Sequence, residues 1–301
     1  MSKSAFVALA GRPSVGKSSL VNLLCGAKVA IVSAVPQTTR NAVRGIVTRP
    51  DGQLVFVDTP GRHISEKKLN KKLMDVSDRA MEESELVLYV LDASRAPGPE
   101  EEAVAEKLAA FQKRTVAAIN KIDVAGSDPK ALHNFLAERL PELPPERRFE
   151  ISCVKKEGID PLLECLFDMA VEGDLLYPEE YYTDQEMSFR ISEIIREKAI
   201  LRLREELPHS IYVEVADLEF HEDESAPGKK RLWIRAFIIT ERESQKGMIV
   251  GKGGSMIKSI GQAARKDLNY IFDWKVELDL RVKTGHDWRH NDKVLRKIID
   301  L

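Results

Sequence analysis

The sequence predicts an α/β domain built on a doubly wound, mostly parallel sheet, followed by a smaller α+β domain. Three observations carry that reading. From Phe6 to about Ala170, short apolar runs of strand length alternate with segments of helical character, which is the sequence form of repeated βαβ units. The alternation breaks at Glu172 to Glu180, an acidic stretch interrupted by Gly173 and Pro178. Finally, 301 residues suit two domains better than one. With 43% hydrophobic and 31% charged residues, the chain is an ordinary globular one, neither disordered nor fibrous. The net charge of −2 says nothing about partners. Cys25, Cys153 and Cys165 lack a CxxC spacing, so neither a disulfide framework nor a zinc site is expected, and a reducing cytosol fits.

In chain order, FVALA (6–10) reads as a buried strand, Lys17 to Leu24 as a helix and LVFVD (54–58) as a strand. Lys71 to Glu83 is helical, LVLYVLD (86–92) a strand, Glu100 to Phe111 a helix, TVAAIN (115–120) a strand and Leu132 to Leu140 a helix. The near-continuous apolar character of the strands is that of parallel strands covered on both faces. Residues 1–172 form this domain, 173–185 a linker, and 186–301 the second domain. In the latter, a helix (Glu186 to Glu206) precedes two alternating strands (Ile211 to Phe220 and Arg231 to Thr240) joined by a polar loop at 221–230. A glycine-rich turn between helices and a strand from Lys275 to Val282 complete it. Trp233 and Trp274 are expected in the core. The first residues, MSKSAFVALAG, are cut short by Arg12 and Pro13 and do not read as a signal peptide, and no apolar run reaches membrane-spanning length. A cytoplasmic location is expected.

Ligands of doubly wound sheets sit at the carboxyl ends of the strands, and three motifs lie there. Gly11-Arg12-Pro13-Ser14-Val15-Gly16-Lys17-Ser18, with Ser19 beyond, fits GxxxxGK[ST] between a strand and a helix. Its backbone N–H groups and helix N-terminus are suited to phosphate oxygens, Lys17 to the β- and γ-phosphates, and Ser18 to magnesium. Asp58-Thr59-Pro60-Gly61 ends LVFVD, where Asp58 can reach the magnesium through water and the Gly61 N–H can sense the γ-phosphate. Asn120-Lys121-Ile122-Asp123 follows TVAAI, again at the end of an apolar strand. The Asp123 carboxylate can accept from N1–H and the exocyclic amine of guanine, donors that adenine lacks in that arrangement. Lys121 would lie along the nucleotide plane, and Asn120 would brace the loops.

The set GRPSVGKS, PQTTR, DTPGRH, NKID and ISC, followed by a glycine-rich RNA-binding motif, resembles the Era family of bacterial GTPases along essentially the whole chain. The resemblance implies that Pro36 to Arg40 is a switch loop, with Thr39 as a magnesium ligand and Thr38 the alternative. It also implies that Ser152, Cys153 and Val154 contact guanine through backbone groups. Lys17, Thr39 and Gly61 then carry slow hydrolysis of GTP to GDP, with magnesium, by positioning. Two departures bear on mechanism. Era-like proteins generally carry a hydrophobic residue where Arg62 stands. Several relatives have asparagine where this chain has Ser14, and there it helps hold an activating potassium ion, which puts potassium dependence in doubt here.

Gly251-Lys252-Gly253-Gly254 is a GxxG turn, and Lys246, Lys252, Lys258, Arg265 and Lys266 surround it without an acidic residue between Ser244 and Lys266. Such a turn lets phosphate approach the main chain, and the element order matches a type II KH domain, which clamps about four nucleotides of single strand. The expected RNA contacts are Lys246, Gly251, Lys252, Gly253, Gly254, Lys258 and Arg265. In Era relatives the target is the 3′ end of small-subunit (16S) ribosomal RNA and the role is assembly of the small (30S) subunit; DNA is not an expected partner. An RNA chaperone whose nucleotide site is mainly structural is the alternative. His286 and His290 read as surface residues rather than a metal pair. Lys293, Arg296 and Lys297 form a basic last helix that could touch RNA or, peripherally, the inner face of the cell membrane, with a solvated face the safer reading.

Overall fold

The structure is a computed structural model that describes residues 2–33, 35–36, 38–61, 68–222, 230–286, 288–291, 294–295 and 298, the side chains of 68–70 and 290 excepted. Gln37, Arg62, Lys293, Arg296, Lys297 and most of the 221–230 loop lie outside the described residues. The chain divides into two compact units, Met1–Asp184 and Gln185–Ile298.

Unit 1 runs β1 (Lys3–Ala10), α1 (Lys17–Leu24), β2 (Val43–Arg49), β3 (Gly52–Asp58), α2 (Lys68–Glu83), β4 (Leu86–Asp92), α3 (Pro99–Leu108), β5 (Thr115–Asn120), α4 (Pro129–Arg139), β6 (Arg148–Glu150), α5 (Ile159–Met169) and β7 (Val171–Glu172). The sheet order is β2-β3-β1-β4-β5-β6, with β7 paired antiparallel to the start of β1. β3, β1, β4, β5 and β6 are parallel, and every residue of β3, β4 and β5 is buried, as their unbroken apolar character predicts. β2 departs from the pattern by pairing antiparallel with β3, Val43 opposite Asp58 and Arg49 opposite Gly52. Its sequence, VRGIVTR, mixes charges with apolar residues because it is the edge strand. Helix starts follow local chemistry. Pro99 opens α3 with Glu100, Glu101 and Glu102 in the positive first turn, and the Asp128 side chain accepts from the Ala131 N–H at the start of α4.

Residues 173–184, read in sequence as part of a linker, pack as a strap on the β2–β3 hairpin. The wholly buried Gln53 side chain accepts from the N–H groups of Leu176 and Tyr177 (2.9 and 2.8 Å) and donates to the Tyr177 carbonyl (3.0 Å). Ile46 N–H donates to the Tyr182 carbonyl at 3.0 Å, and Arg44 pairs with Asp184 at 2.8 Å.

Unit 2 runs α6 (Met187–Ile200), β8 (Ile211–Glu222), β9 (Lys230–Thr240), α7 (Glu243–Val250), α8 (Ser255–Phe272) and β10 (Lys275–Thr284). The sheet order is β10-β9-β8, with β8 antiparallel and β10 parallel to β9. Leu232, Ile234, Ala236 and Ile238 on one face of β9 meet Ile191, Ile194, Ile195, Ile249, Ile260, Ala264 and Leu268 from the helices. The first helix stops at Ile200, short of the expected Glu206; Glu205 adopts a left-handed φ of 57° and Pro208 follows. Trp233, expected in the core, instead lies half-buried on the other face under the Arg235 guanidinium. Trp274 packs on Phe272 and Phe220 at the core margin. The third tryptophan, Trp288, is the fully buried one, edge-on to Tyr212 with its indole N–H donating to the Ser210 carbonyl.

Candidate nucleotide and nucleic-acid sites

The loop between β1 and α1 lines a cleft of about 350 Å³ together with Ile31 to Ser33, Val35, Thr38, Thr39, Gly61 and Lys121. From the loop itself come Pro13, Ser14, Gly16, Lys17, Ser18 and Ser19. Gly16 has a φ of 106°, and a Cβ on it would sit 2.4 Å from Asn120 Nδ2, so the position is closed to side chains on both counts. Ser14 takes the left-handed region at φ 63°, which asparagine tolerates better than serine. Lys17 is buried, and its ammonium donates to the carbonyls of Gly11 (3.0 Å) and Arg12 (3.2 Å). Burial pushes its pKa down to about 8, against the attraction of Asp58 and Glu101.

At the metal corner, Ser18 Oγ donates to Asp58 Oδ2 at 2.6 Å and stands 3.1 Å from Thr39 Oγ1. Three side chains named as metal ligands from sequence thus converge from α1, β3 and the segment before β2. Thr38, the alternative, turns its hydroxyl to Val35 O and Ser33 Oγ within its own loop. Asp58 is fully buried, and its Oδ1 has no hydrogen-bond partner among the described residues. Burial raises its pKa to about 6 despite Lys17 and Ser18. A buried carboxylate oxygen without a donor, beside two hydroxyls, is a donor set suited to a hard oxygen-ligated cation such as magnesium.

On the base side, Asn120 donates to Val15 O (2.9 Å) and accepts from the Cys153 N–H (3.2 Å), tying three loops together as a brace. The Cys153 N–H is thereby engaged with Asn120. Ser152 Oγ donates to Asp123 Oδ1 at 2.6 Å, and Val154 stands 83% exposed. Lys121, at a left-handed φ of 67°, reaches the Ser14 carbonyl (2.8 Å) and Asp92 (2.7 Å). Within the second motif, Thr59 is turned away from the cleft and donates to Leu9 O at 2.7 Å.

Sequence reasoning missed a layer behind this cleft. Asp92, at the carboxyl end of β4, accepts from Ser94, Arg95 and Lys121; these bonds outweigh its desolvation and hold its pKa below the ordinary value. Arg95 also donates to Pro13 O, and Arg12 donates to the carbonyls of Arg95 and Ala96. The Arg12 side chain, named as a nucleotide contact from its place in the motif, is buried against α3, where it pairs with Glu101 at 2.8 Å. Tyr89 OH donates to the same carboxylate at 2.6 Å, and burial pushes the Glu101 pKa up. Asp92 carried a readable signal, an acid at a strand's carboxyl end; Glu101 carried none.

In unit 2 the GxxG turn joins α7 to α8 with Gly251, Gly253 and Gly254 at φ 73°, 59° and 78°. A Cβ on Gly251 would fall 2.7 Å from the Met256 Cβ, whereas Gly253 and Gly254 face open space. Lys252, Lys258 and Arg265 are exposed, and Lys246 is paired with Glu243 at 3.1 Å. His286 is exposed. No described helix is long and apolar enough to cross a membrane.

A doubly wound sheet with a GxxxxGKS loop, an Asp58-centred hydroxyl cluster and an NKID loop, followed by a GxxG-bearing KH unit, defines a P-loop GTPase fused to an RNA-binding module. Comparison with known families agrees: residues 6–121 match the family described as "50S ribosome-binding GTPase" and residues 206–289 match "KH domain". The chain is 49% identical to GTPase Era of Treponema denticola over 98% of this chain and 99% of that protein. It is 45% identical to GTPase Era of Borreliella burgdorferi over 99% and 100%. Among solved structures, an Aquifex aeolicus Era variant bound to GDP and AlF4⁻ superposes with a TM-score of 0.90 at 34% identity, covering 98% of both chains. An Era complex with MgGDPNP and nucleotides 1506–1542 of 16S ribosomal RNA gives 0.91 at 34%, again covering 98% of both. The chain belongs to the GTPase Era family.

Proposed function

We propose that this chain is a GTP-driven switch whose unit 2 takes the single-stranded 3′ end of 16S ribosomal RNA and assists assembly of the small ribosomal subunit. The observation that carries the switch is the convergence of Ser18, Thr39 and Asp58 around an unpartnered buried carboxylate oxygen. Those three residues would hold the magnesium ion. When bound there, the ion supplies positive charge beside the β- and γ-phosphate oxygens. Everything else is positioning. Lys17 would exchange its two loop carbonyls for phosphate oxygens, the backbone N–H groups of residues 14–18 would donate to the phosphates, and the Gly61 N–H would read the γ-phosphate. Asp123, held by Ser152, accepts from guanine, and Lys121 lies along the base plane. No side-chain general base is invoked, so Arg62→Ala should retain turnover; loss of turnover with GTP affinity intact would replace this mechanism by an arginine-assisted one.

The RNA target rests on the Era complex with 16S nucleotides 1506–1542 and on the GxxG turn at Gly251 to Gly254. Thr39 and the loop after Gly61 would be ordered by the γ-phosphate and released on hydrolysis, changing RNA affinity. Linkage then requires that RNA tighten GTP binding by the factor with which GTP tightens RNA binding. The test is RNA affinity with GDPNP and with GDP, alongside multiple-turnover GTPase rates with and without RNA. Equal affinities and turnover too slow to matter would instead leave an RNA chaperone with a structural nucleotide site.

A further inference from the structure

Asp92 and Arg95 stand behind the nucleotide cleft rather than in it, yet their bonds run to the phosphate loop. Asp92, wholly buried at the carboxyl end of β4, takes the Ser94 N–H and Oγ on one carboxylate oxygen (3.0 and 2.6 Å) and Arg95 Nε and Lys121 Nζ on the other (2.9 and 2.7 Å). The two cations then reach consecutive carbonyls of the loop: Arg95 Nη2 donates to Pro13 O at 3.3 Å and Lys121 Nζ to Ser14 O at 2.8 Å. Asn120 holds the next carbonyl, Val15 O, at 2.9 Å. In return, the Arg12 side chain donates to the carbonyls of Arg95 and Ala96, both at 3.4 Å. Ser14 and Lys121 both sit in the left-handed region, at φ 63° and 67°, a conformation that such residues keep only where surrounding bonds impose it.

A trans peptide places its C=O and the following N–H on opposite sides. Drawing Pro13 O, Ser14 O and Val15 O toward the ends of β4 and β5 therefore turns the N–H groups of Ser14, Val15 and Gly16 the other way. None of these three N–H groups has a hydrogen-bond partner among the described residues. We infer that Asp92 and Arg95 are positioning residues for GTP hydrolysis: one shared carboxylate fixes both cations, and through them the direction in which the phosphate loop presents its N–H donors. The inference rests on the nucleotide reading of the cleft and extends it to residues outside the cleft. Donors aimed in advance at the phosphates act in the chemical step as well as in binding, because charge redistributes over the phosphoryl oxygens in the transition state.

The test uses the full chain with saturating magnesium and measures multiple-turnover GTP hydrolysis together with the affinities of GDP and GMP. The Arg95 side chain is 45% exposed, so Arg95→Ala should fold like the parent. It should lower kcat by about 10-fold or more and narrow the ratio of GDP to GMP affinity, since the misdirected donors serve the phosphates rather than the base. Asp92→Asn keeps the size of the side chain but frees both cations, so its loss in kcat should be larger. Combining the two substitutions should be little worse than Asp92→Asn alone, because Arg95 acts through the Asp92 carboxylate. A kcat and a GDP-to-GMP ratio equal to the parent's in Arg95→Ala would overturn the inference whatever the melting temperature does, and fully additive losses would deny the shared anchor. A parent that hydrolyses no GTP would remove the nucleotide reading itself, and the positioning role with it.

Discussion

Raising the pH above 8 should weaken GTP binding, chiefly through Lys17. In the nucleotide-free protein the buried ammonium has a pKa of about 8, lowered from 10.5 chiefly by desolvation. Phosphate oxygens replacing two carbonyls would restore the ordinary value, so one proton is taken up on binding wherever the free protein has lost it. The apparent dissociation constant then scales as one plus ten to the power of pH minus 8: about twofold weaker at pH 8 and about 11-fold at pH 9, relative to pH 6.5. The same shift bears on folding. A lysine pKa lowered in the native state costs stability at every pH below about 8, here about 3 kcal/mol, and the cost is relieved as pH rises from 8 toward 10.5. Nucleotide binding should remove that dependence. The assay is titration of a fluorescent GTP analogue between pH 6.5 and 9, with Lys17→Arg as control because arginine stays charged throughout. The arginine variant should give a flat profile across this range, whatever its absolute affinity. A parent profile as flat as that of the arginine variant would show that Lys17 holds its proton throughout in the free protein, contrary to this prediction.

Other outcomes follow from the cleft and the layer behind it. Asp123→Asn should cut GTP affinity by at least ~100-fold and improve binding of xanthosine triphosphate, whose C2 carbonyl suits an amide donor; competition of the two nucleotides measures it. Arg12→Ala leaves Glu101 buried without its cation and should cost about 3–5 kcal/mol of unit 1 stability in denaturant unfolding, with faster GDP release, whereas Arg12→Ala with Glu101→Gln should recover much of the loss. Asp58→Asn should weaken the dependence of GTP affinity on magnesium, read by titrating nucleotide with and without the metal; a dependence equal to the parent's would place the ion elsewhere.

How much was legible in the sequence depended on whether a residue's role is local. The phosphate loop could be read because glycine, lysine and serine stand at fixed offsets between a strand and a helix, and β3, β4 and β5 because strands buried on both faces are apolar throughout. The hydroxyl beside Ser18 was not readable from residue types, since Thr38 and Thr39 are the same amino acid; only the loop's path sends one toward Asp58 and the other toward Val35. β2 escaped because an edge strand alternates charge with apolar residues and lacks a pattern of its own. Glu101 reads as one of three acids at a helix start, where the dipole explains all three, yet it is the one buried under Arg12 and Tyr89.

Gln53 is the most consequential residue of that unreadable kind, because its partners lie 123 and 124 residues downstream. The hairpin it belongs to is flanked by both loops expected to sense the γ-phosphate: β2 begins four residues after Thr39, and β3 ends on Asp58. The strap held by Gln53 ends at Asp184, where unit 2 begins. On the switch reading, a movement of either loop would pass to the chain entering unit 2 through Gln53, the backbone bond of Ile46 to Tyr182, the Thr183 hydroxyl on the Arg44 carbonyl and the Arg44–Asp184 pair. Gln53→Leu keeps the volume but removes three hydrogen bonds to strap backbone, worth about 1 kcal/mol each, so the strap should loosen by about 3 kcal/mol. Proteolysis within 173–184 should become faster, GTP affinity should stay within about twofold because Gln53 does not line the cleft, and the ratio of RNA affinities in the GDPNP and GDP states should fall toward one. A variant whose strap is cleaved readily but whose ratio matches the parent would show that the nucleotide signal travels by a route other than this hairpin.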